Sequence, residues 1–358
     1  MRIALLSYST KPRGGVVHTL HLAEALAEAG QDVTVWTLGR GGDAGFFRPV
    51  NPLVHQRIVP FPDGPGGESV GARVVRSIAV LRDAFDPAPY DIVHAQDCIS
   101  ANAVGRCVRT VHHIDHFTTP ELAACHERAI AEPYAHVCVS STVADELAEA
   151  WSLTAEIIPN GVAYERFAHT DAELRARWQE KLGRYVLTVG GIEPRKGSLD
   201  LVEAYTLLRA SNPDVRLVIA GGETLFDYRD YRARWDARVA ELGVEPIVLG
   251  PVPDDELPAL VSAADAFAFP SVKEGFGLAA MEALAAGVPL VVRDLPVLRE
   301  VFTGAARFAD TPATLAAELA AALAGDDPGR RAAGQQLAAR HTWAAAARGH
   351  LDFYARLR

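Results

Sequence analysis

The sequence predicts an α/β protein made of two doubly wound parallel-sheet domains, and three observations carry that expectation. The chain has 358 residues, 49% of them apolar, which suits two cores at the usual ~100–200 residues per domain. Short apolar, β-compatible runs alternate with helical patterns, and such alternation gives parallel sheets covered on both faces. The alternation occurs twice, on either side of a polar stretch at 164–183.

The first set opens with a β-compatible run at 3–8 and the turn-rich segment 9–15. A helical pattern follows through Leu20, Ala23, Leu26 and Ala27, Gly30 stops it, and 33–36 reads as the next strand, completing a βαβ unit. Further strand-like runs lie at 91–95, 107–112 and 136–140, the last leading into a helix over 142–151. Between Leu38 and Ser69 the chain is rich in Gly and Pro with few periodic positions, and it reads as loops. Residues 157–161 end a strand in a turn.

The second set begins with a strand at 185–189 and a Gly/Pro loop, then a helix at 198–209 and a strand at 216–220. Strand 247–249, helix 254–263, strand 266–269, helix 278–286 and strand 290–292 continue it. The expected domains are 1–162 and 183–342. From Ala313 the tail is nearly all helix formers and predicts two or three helices, the last of which, about 343–358, is a candidate to pack back on the first domain. Ligands of open α/β sheets lie at the carboxyl ends of the strands, so two such domains facing each other would share a cleft.

Composition narrows the function classes. The net charge of −10 argues against phosphate-backbone binding as the main activity, so no nucleic-acid partner is expected. Cys98, Cys107, Cys125 and Cys138 form no C-x-x-C pair, which suggests neither a zinc knuckle nor a dense disulfide scaffold and fits a reduced, cytoplasmic protein. The apolar run near the N-terminus is shorter than the ~7–15 residues of a signal peptide, and no later stretch approaches the ~18 of a membrane span. Arg73, Arg76 and Arg82 recur on a helical pattern with Val74, Ile78 and Leu81. That leaves a peripheral membrane contact open without indicating one, since a solvated helix facing a core gives the same pattern.

The strongest local signal runs from Pro270 to Pro289, P-S-V-K-E-G-F-G-L-A-A-M-E-A-L-A-A-G-V-P. Glu274 lies in a glycine loop at a strand end and Glu282 about one turn into the next helix. Gly275 and Gly277 let backbone amides approach a ligand, and the helix start at Leu278 presents unpaired N–H groups to an anion. Glu282 suits two vicinal ribose hydroxyls, and Glu274 suits a sugar. Taken singly, each reads equally as a solvated acid.

At this spacing the segment resembles the E-x7-E motif of the retaining glycosyltransferases of family 4, whose GT-B architecture has two Rossmann-like domains facing across a cleft. The resemblance implies that Glu274 contacts the transferred sugar and Glu282 the nucleotide ribose, with Gly275, Phe276, Gly277 and Leu278 in the same donor segment. A second element, V-G-G-I-E-P-R-K-G at 189–197, resembles the family's G-R-L-x-x-x-K-G, in which Arg and Lys bind the donor diphosphate. Lys196 and Gly197 match. The family Arg falls on Gly191, and Arg195 is expected to replace it; fixed cations there act where leaving-group charge develops.

The double glycine Gly14-Gly15 after the first strand is not G-x-G-x-x-G, and Trp36-Thr37-Leu38 stands where a dinucleotide-binding acid belongs, which disfavours a dehydrogenase. In the family this loop touches the donor phosphates and the acceptor. His112, His113 and His116 lie close together near Asp115 without metal-binding spacing. The family's T-x-H places His112 near the transferred sugar, with His113 as the second choice. P-N-G-V at 159–162 resembles the family's element at the domain junction, a hinge turn, and Val252 with Leu257 resembles its base-holding segment.

The resemblance thus implies a metal-independent glycosyltransferase without cofactor. It would move a sugar from a nucleotide-diphosphate sugar to a small-molecule, glycan or glycolipid acceptor with retention. The implied catalytic residues are Glu274, His112 and Lys196, with Gly14, Gly15 and Arg195 among the donor contacts. No residue is assignable as a nucleophile for double displacement, so same-face attack is the expected route. An epimerase or hydrolase of the same fold and a non-catalytic sugar-nucleotide binding protein are the alternatives.

Overall fold

Apolar runs such as Ile3–Leu6 and Ala266–Phe269 are buried on both faces, as central parallel strands require. They organise two units, Met1–Gly161 with Trp343–Arg358, and Val162–Thr342. The structure, a computed structural model, describes residues 1–358 except 65, 116, 118, 222–227, 326 and 358.

The first unit runs β1 (Arg2–Leu6), α1 (Gly14–Glu28), β2 (Asp32–Arg40), β3 (Val54–Phe61), α2 (Val70–Ala84), β4 (Ile92–Ala95), α3 (Cys98–Val104), β5 (Val108–Val111), α4 (Pro120–Ala131), β6 (Ala135–Cys138), α5 (Ser141–Trp151) and β7 (Glu156–Ile157). Among the described residues these strands form one parallel sheet in the order β3-β2-β1-β4-β5-β6-β7. The order reverses between β1 and β4, the doubly wound pattern.

The second unit runs α6 (Tyr164–Ala168), α7 (Ala172–Leu182), β8 (Tyr185–Val189), a 3-10 turn (Pro194–Lys196), α8 (Ser198–Arg209), β9 (Arg216–Ala220), α9 (Arg229–Leu242), β10 (Ile247–Gly250), α10 (Leu257–Ser262), β11 (Ala266–Phe269), α11 (Leu278–Ala285), β12 (Leu290–Arg293), α12 (Pro296–Phe302), β13 (Arg307–Ala309), α13 (Pro312–Leu323) and α14 (Pro328–Arg340). Its sheet, again parallel, has the order β10-β9-β8-β11-β12-β13, with the reversal between β8 and β11.

The chain then returns to the first unit as α15 (Trp343–Leu357), which packs on α1. Gly161 makes room for that return, because a Cβ there would overlap the backbone and ring of Trp343. Tyr354 is fully buried and its hydroxyl lies 2.6 Å from His94 Nδ1, tying α15 to β4.

Two expectations need correction. The stretch 38–69 is not all loop: β2 continues to Arg40, and β3 pairs with β2 over its whole length. β3 is an edge strand whose His55, Gln56 and Arg57 are exposed, so it lacks the apolar run that marks central strands, and Pro60 is tolerated at the edge. The polar stretch between the expected domains forms α6 and α7 inside the second unit. Its polarity belongs to the solvent faces, while Phe167, Trp178 and Leu182 are buried. The basic pattern on α2 reads as a solvated helix facing a core: Val74, Ile78 and Leu81 are buried, Arg76 grips Glu68 through two N–H groups, and Arg82 donates to the Asn102 carbonyl. Among the described residues no helix is long and apolar enough to cross a membrane.

Candidate functional site

In the second unit the strand-order reversal brings the carboxyl ends of β8 and β11 side by side, and the loops leaving them carry the charged residues singled out in the sequence. Lys196 Nζ donates to Glu274 Oε1 at 2.6 Å, and Arg195 Nη1 donates to the same oxygen at 3.0 Å. Arg195 Nη2 also lies 3.4 Å from Glu193 Oε1. Two cations and two carboxylates therefore meet in one place, and both Glu193 and Glu274 are nearly enclosed, with side chains 9% and 10% exposed. Burial holds the Lys196 ammonium below its usual range, Glu274 opposing the shift and Arg195 adding to it. The Lys196 ammonium also stands 5.0 Å from the centre of the Phe269 ring.

Backbone geometry fixes this cluster. Gly197 has φ +64°, and a Cβ there would overlap the Pro270 carbonyl oxygen, so the turn that ends at Lys196 packs on the β11 loop only with glycine. The Val272 N–H donates to the Arg195 carbonyl at 2.8 Å, which joins the two loops directly. Arg293 Nε donates to the Pro270 carbonyl at 3.2 Å and its guanidinium pairs with Asp200, bracing the loop from β12.

The helix after the glycine loop starts at Leu278 on Gly277, whose φ of +96° favours glycine and where an added Cβ would lie 3.1 Å from the Phe302 ring and 3.3 Å from the Phe269 ring, in tight contact with both. No side chain caps this start, so its first amide N–H groups stay available to an anion. Phe276 is 3% exposed with its ring 5.7 Å from His341, so its side chain is core. Glu282 is half-buried on α11. Burial pushes its carboxyl up to about 8, with Arg166 opposing and Asp254 reinforcing the shift, and those two pair with each other at 2.7 Å. Val252 and Leu257, on the loop after β10 and at the start of α10, are both half-buried.

In the first unit α1 starts at Gly14 with no side-chain cap, so Gly14 and Gly15 present a bare helix N-terminus. A Cβ on Gly15 would sit 3.9 Å from His112 Cδ2 and Nε2, in ordinary contact, so the structure brings Gly15 and His112 together. His113 turns instead to Asp115, 3.2 Å away, and His116 lies outside the described residues. Among the described residues no group of three or more His, Cys, Asp or Glu is placed to hold a metal ion.

Known proteins resemble this chain in sequence and fold. The family model for glycosyl transferases group 1 matches residues 171–337, and the model for glycosyltransferase family 4 matches residues 12–166. A phosphatidyl-myo-inositol mannosyltransferase of Mycolicibacterium smegmatis is 30% identical over 91% of this chain and 84% of its own length. The chain belongs to glycosyltransferase family 4. A D-inositol 3-phosphate glycosyltransferase of Salinispora arenicola is also 30% identical, over 99% of this chain and 91% of its own. Two solved structures share the GT-B fold at low identity. HepE of Anabaena, in complex with UDP and glucose, has TM-score 0.74 and 18% identity over 99% of this chain and 100% of that one. Sucrose-phosphate synthase of Thermosynechococcus elongatus has TM-score 0.79 and 20% identity over 100% and 99%.

Within this family 4 glycosyltransferase the structure gathers Lys196, Arg195 and Glu274 into one cluster. Glu282 stands apart on α11 beside the Arg166–Asp254 pair, and Gly14, Gly15 and His112 form a separate group in the other unit. Two residues of the second-unit cluster escaped the sequence reading. Glu193 precedes Pro194 in the loop already singled out, and an acid two positions before Arg195 was the available signal. Ser271 is 1% exposed with its hydroxyl unpartnered among the described residues, and nothing in the sequence distinguishes it from an ordinary loop serine.

Proposed function

We propose that this family 4 glycosyltransferase moves a sugar from a nucleotide-diphosphate sugar to an acceptor hydroxyl with retention of configuration, the second unit holding the donor. The observation that carries this is the enclosed Lys196–Glu274–Arg195 cluster where β8 meets β11. As the sugar bond breaks, negative charge grows on the departing diphosphate. Lys196, Arg195 and the uncapped start of α11 are fixed positive groups that stabilise such charge without reorganising. This role is filled by the chain's own cations, so the proposal includes no metal ion and no cofactor.

Glu274 keeps the two cations in place before the donor arrives and is assigned to the transferred sugar. Glu282 is assigned to the ribose, and Val252 with Leu257 to the base. Gly14 and Gly15 are assigned to the donor phosphates and His112 to the sugar, as the family resemblance implies. No carboxylate is assigned as a nucleophile, so attack comes from the face the diphosphate leaves, which takes the acceptor proton. The acceptor class is a hydroxyl on a small molecule, glycan or glycolipid; the inositol-containing names of two relatives favour a polyol.

A thermal-shift panel of UDP-glucose, GDP-mannose and ADP-glucose tests the donor, because a ligand of the folded state raises its melting temperature. One of them should stabilise the wild type, and Glu282→Ala should weaken that binding by ~1–3 kcal/mol. Transfer of label from the stabilising donor to an inositol or glycan acceptor should follow and should persist in EDTA. A panel with no shift, or binding unaffected by Glu282→Ala, refutes the donor placement.

A further inference from the structure

The imidazole of His112 belongs to a chain of buried histidines that the proposed mechanism leaves unexplained. His18, on the inner face of α1, meets the His112 ring at 4.7 Å between centroids and 79° between planes. On its other side His18 Nδ1 lies 2.9 Å from Asn160 Oδ1 in the P-N-G turn. The amide oxygen accepts, so the His18 proton sits on Nδ1 and Nε2 is left as a lone pair. That Nε2 is buried with no hydrogen-bond partner among the described residues, and so is His112 Nε2.

Two buried nitrogens in touching rings cannot both carry lone pairs without repulsion. In rings that meet edge to face, a proton on His112 Nε2 leaves one lone pair at the contact in place of two and allows a weak N–H···π interaction. The other nitrogen, Nδ1, then holds the lone pair, in a ring that is only half-buried.

We propose that His18 and Asn160 are positioning residues that keep the proton of a neutral His112 on Nε2, leaving its Nδ1 to accept a hydrogen bond from a hydroxyl of the transferred sugar. This rests on the placement of His112 at that sugar. The surroundings agree. The groups facing His112 are Arg109 and His113 from its own segment, His94 from β4, His350 from α15 and His18 from α1. Burial, followed by these positive or protonatable neighbours, holds His112 well below the usual imidazole range. His18 is likewise held well below that range by burial, with Asn160 opposing the shift. The P-N-G turn thereby gains a task beyond shaping the chain: it sets a tautomer one residue away from the substrate.

Nitrogen-15 NMR of the full chain labelled at histidine, with His112 assigned from a His112→Gln sample, reads the tautomer directly. The wild type should show a pyrrole-type Nε2 and a pyridine-type Nδ1 for His112 from pH 6.5 to 8. Asn160→Leu frees His18 to carry its proton on Nε2 and should move His112 toward the opposite tautomer. It should lower kcat at least ~10-fold with whichever of UDP-glucose, GDP-mannose or ADP-glucose binds, while the affinity for the free nucleoside diphosphate stays unchanged. Asn160→Asp retains the accepting oxygen and should restore both the tautomer and most of kcat. A wild-type proton on Nδ1 overturns the proposal without need of a variant, and so does a folded Asn160→Leu protein with an unchanged tautomer. A shifted tautomer with unchanged kcat overturns the placement of His112 at the sugar, and with it the positioning role.

Discussion

Replacing Glu282 by glutamine separates what this carboxyl does for ligand from what it costs the fold. Burial moves it from the ordinary 4.5 up to about 8. Between those values the folded unit binds more protons than the unfolded chain, so stability falls as pH rises through the window and levels off above about 8. At pH 7 the chain is about 2.5 pH units above the unfolded value, and at ~1.4 kcal/mol per unit the wild type forgoes roughly 3 kcal/mol relative to acid pH. Glutamine has nearly the same shape and no charge to bury. Glu282→Gln should therefore match the wild type near pH 4 and melt higher at pH 7, by as much as ~10 °C for a unit of this size. Binding should change in the opposite direction. If ribose hydroxyls donate to the ionised carboxylate, wild-type affinity for UDP or GDP should rise by up to ~10-fold per pH unit between pH 6 and 8. The variant should bind more weakly and without that slope. Thermal unfolding followed by circular dichroism and nucleotide titration calorimetry across the same pH range measure both. Equal melting at pH 7, or a pH-independent wild-type affinity, would refute the reasoning.

Lys196→Ala should reduce kcat by ~10²–10³-fold, the usual effect of removing a fixed charge from a developing anion; single-turnover transfer measures it. Gly197→Ala must place a Cβ against the Pro270 carbonyl at a φ of +64° and should destabilise the second unit by at least ~2 kcal/mol, seen in urea unfolding. Tyr354→Phe takes the hydroxyl from His94 Nδ1 and should cost ~1–3 kcal/mol, with loss of hydrogen-exchange protection in α15.

Elements whose residues are buried on both faces were legible from the chain alone. The strands around Leu187, Ile219 and Phe267 are continuous apolar runs because each is central in a parallel sheet, and the loops after them stood out by their glycines. Glu274, Lys196 and Gly197 were recognisable for the same reason, being packed into short segments where backbone geometry leaves few alternatives. Edge strand β3 and helix α7 were not legible, because half or more of each surface meets solvent and the local pattern is polar.

The amino-acid order by itself determined the alternation of strands and helices, the family, and the local motifs at 189–197 and 270–289, since each depends on neighbours along the chain. Tertiary structure alone decided what lies between distant segments. Lys196 and Glu274 share an oxygen contact across 78 positions, and His18 meets Asn160 across 142. The burial that raises Glu282 and lowers His112 comes from elements remote in sequence. Desolvation and charge depend on distance through space, and no periodicity along the chain encodes that distance.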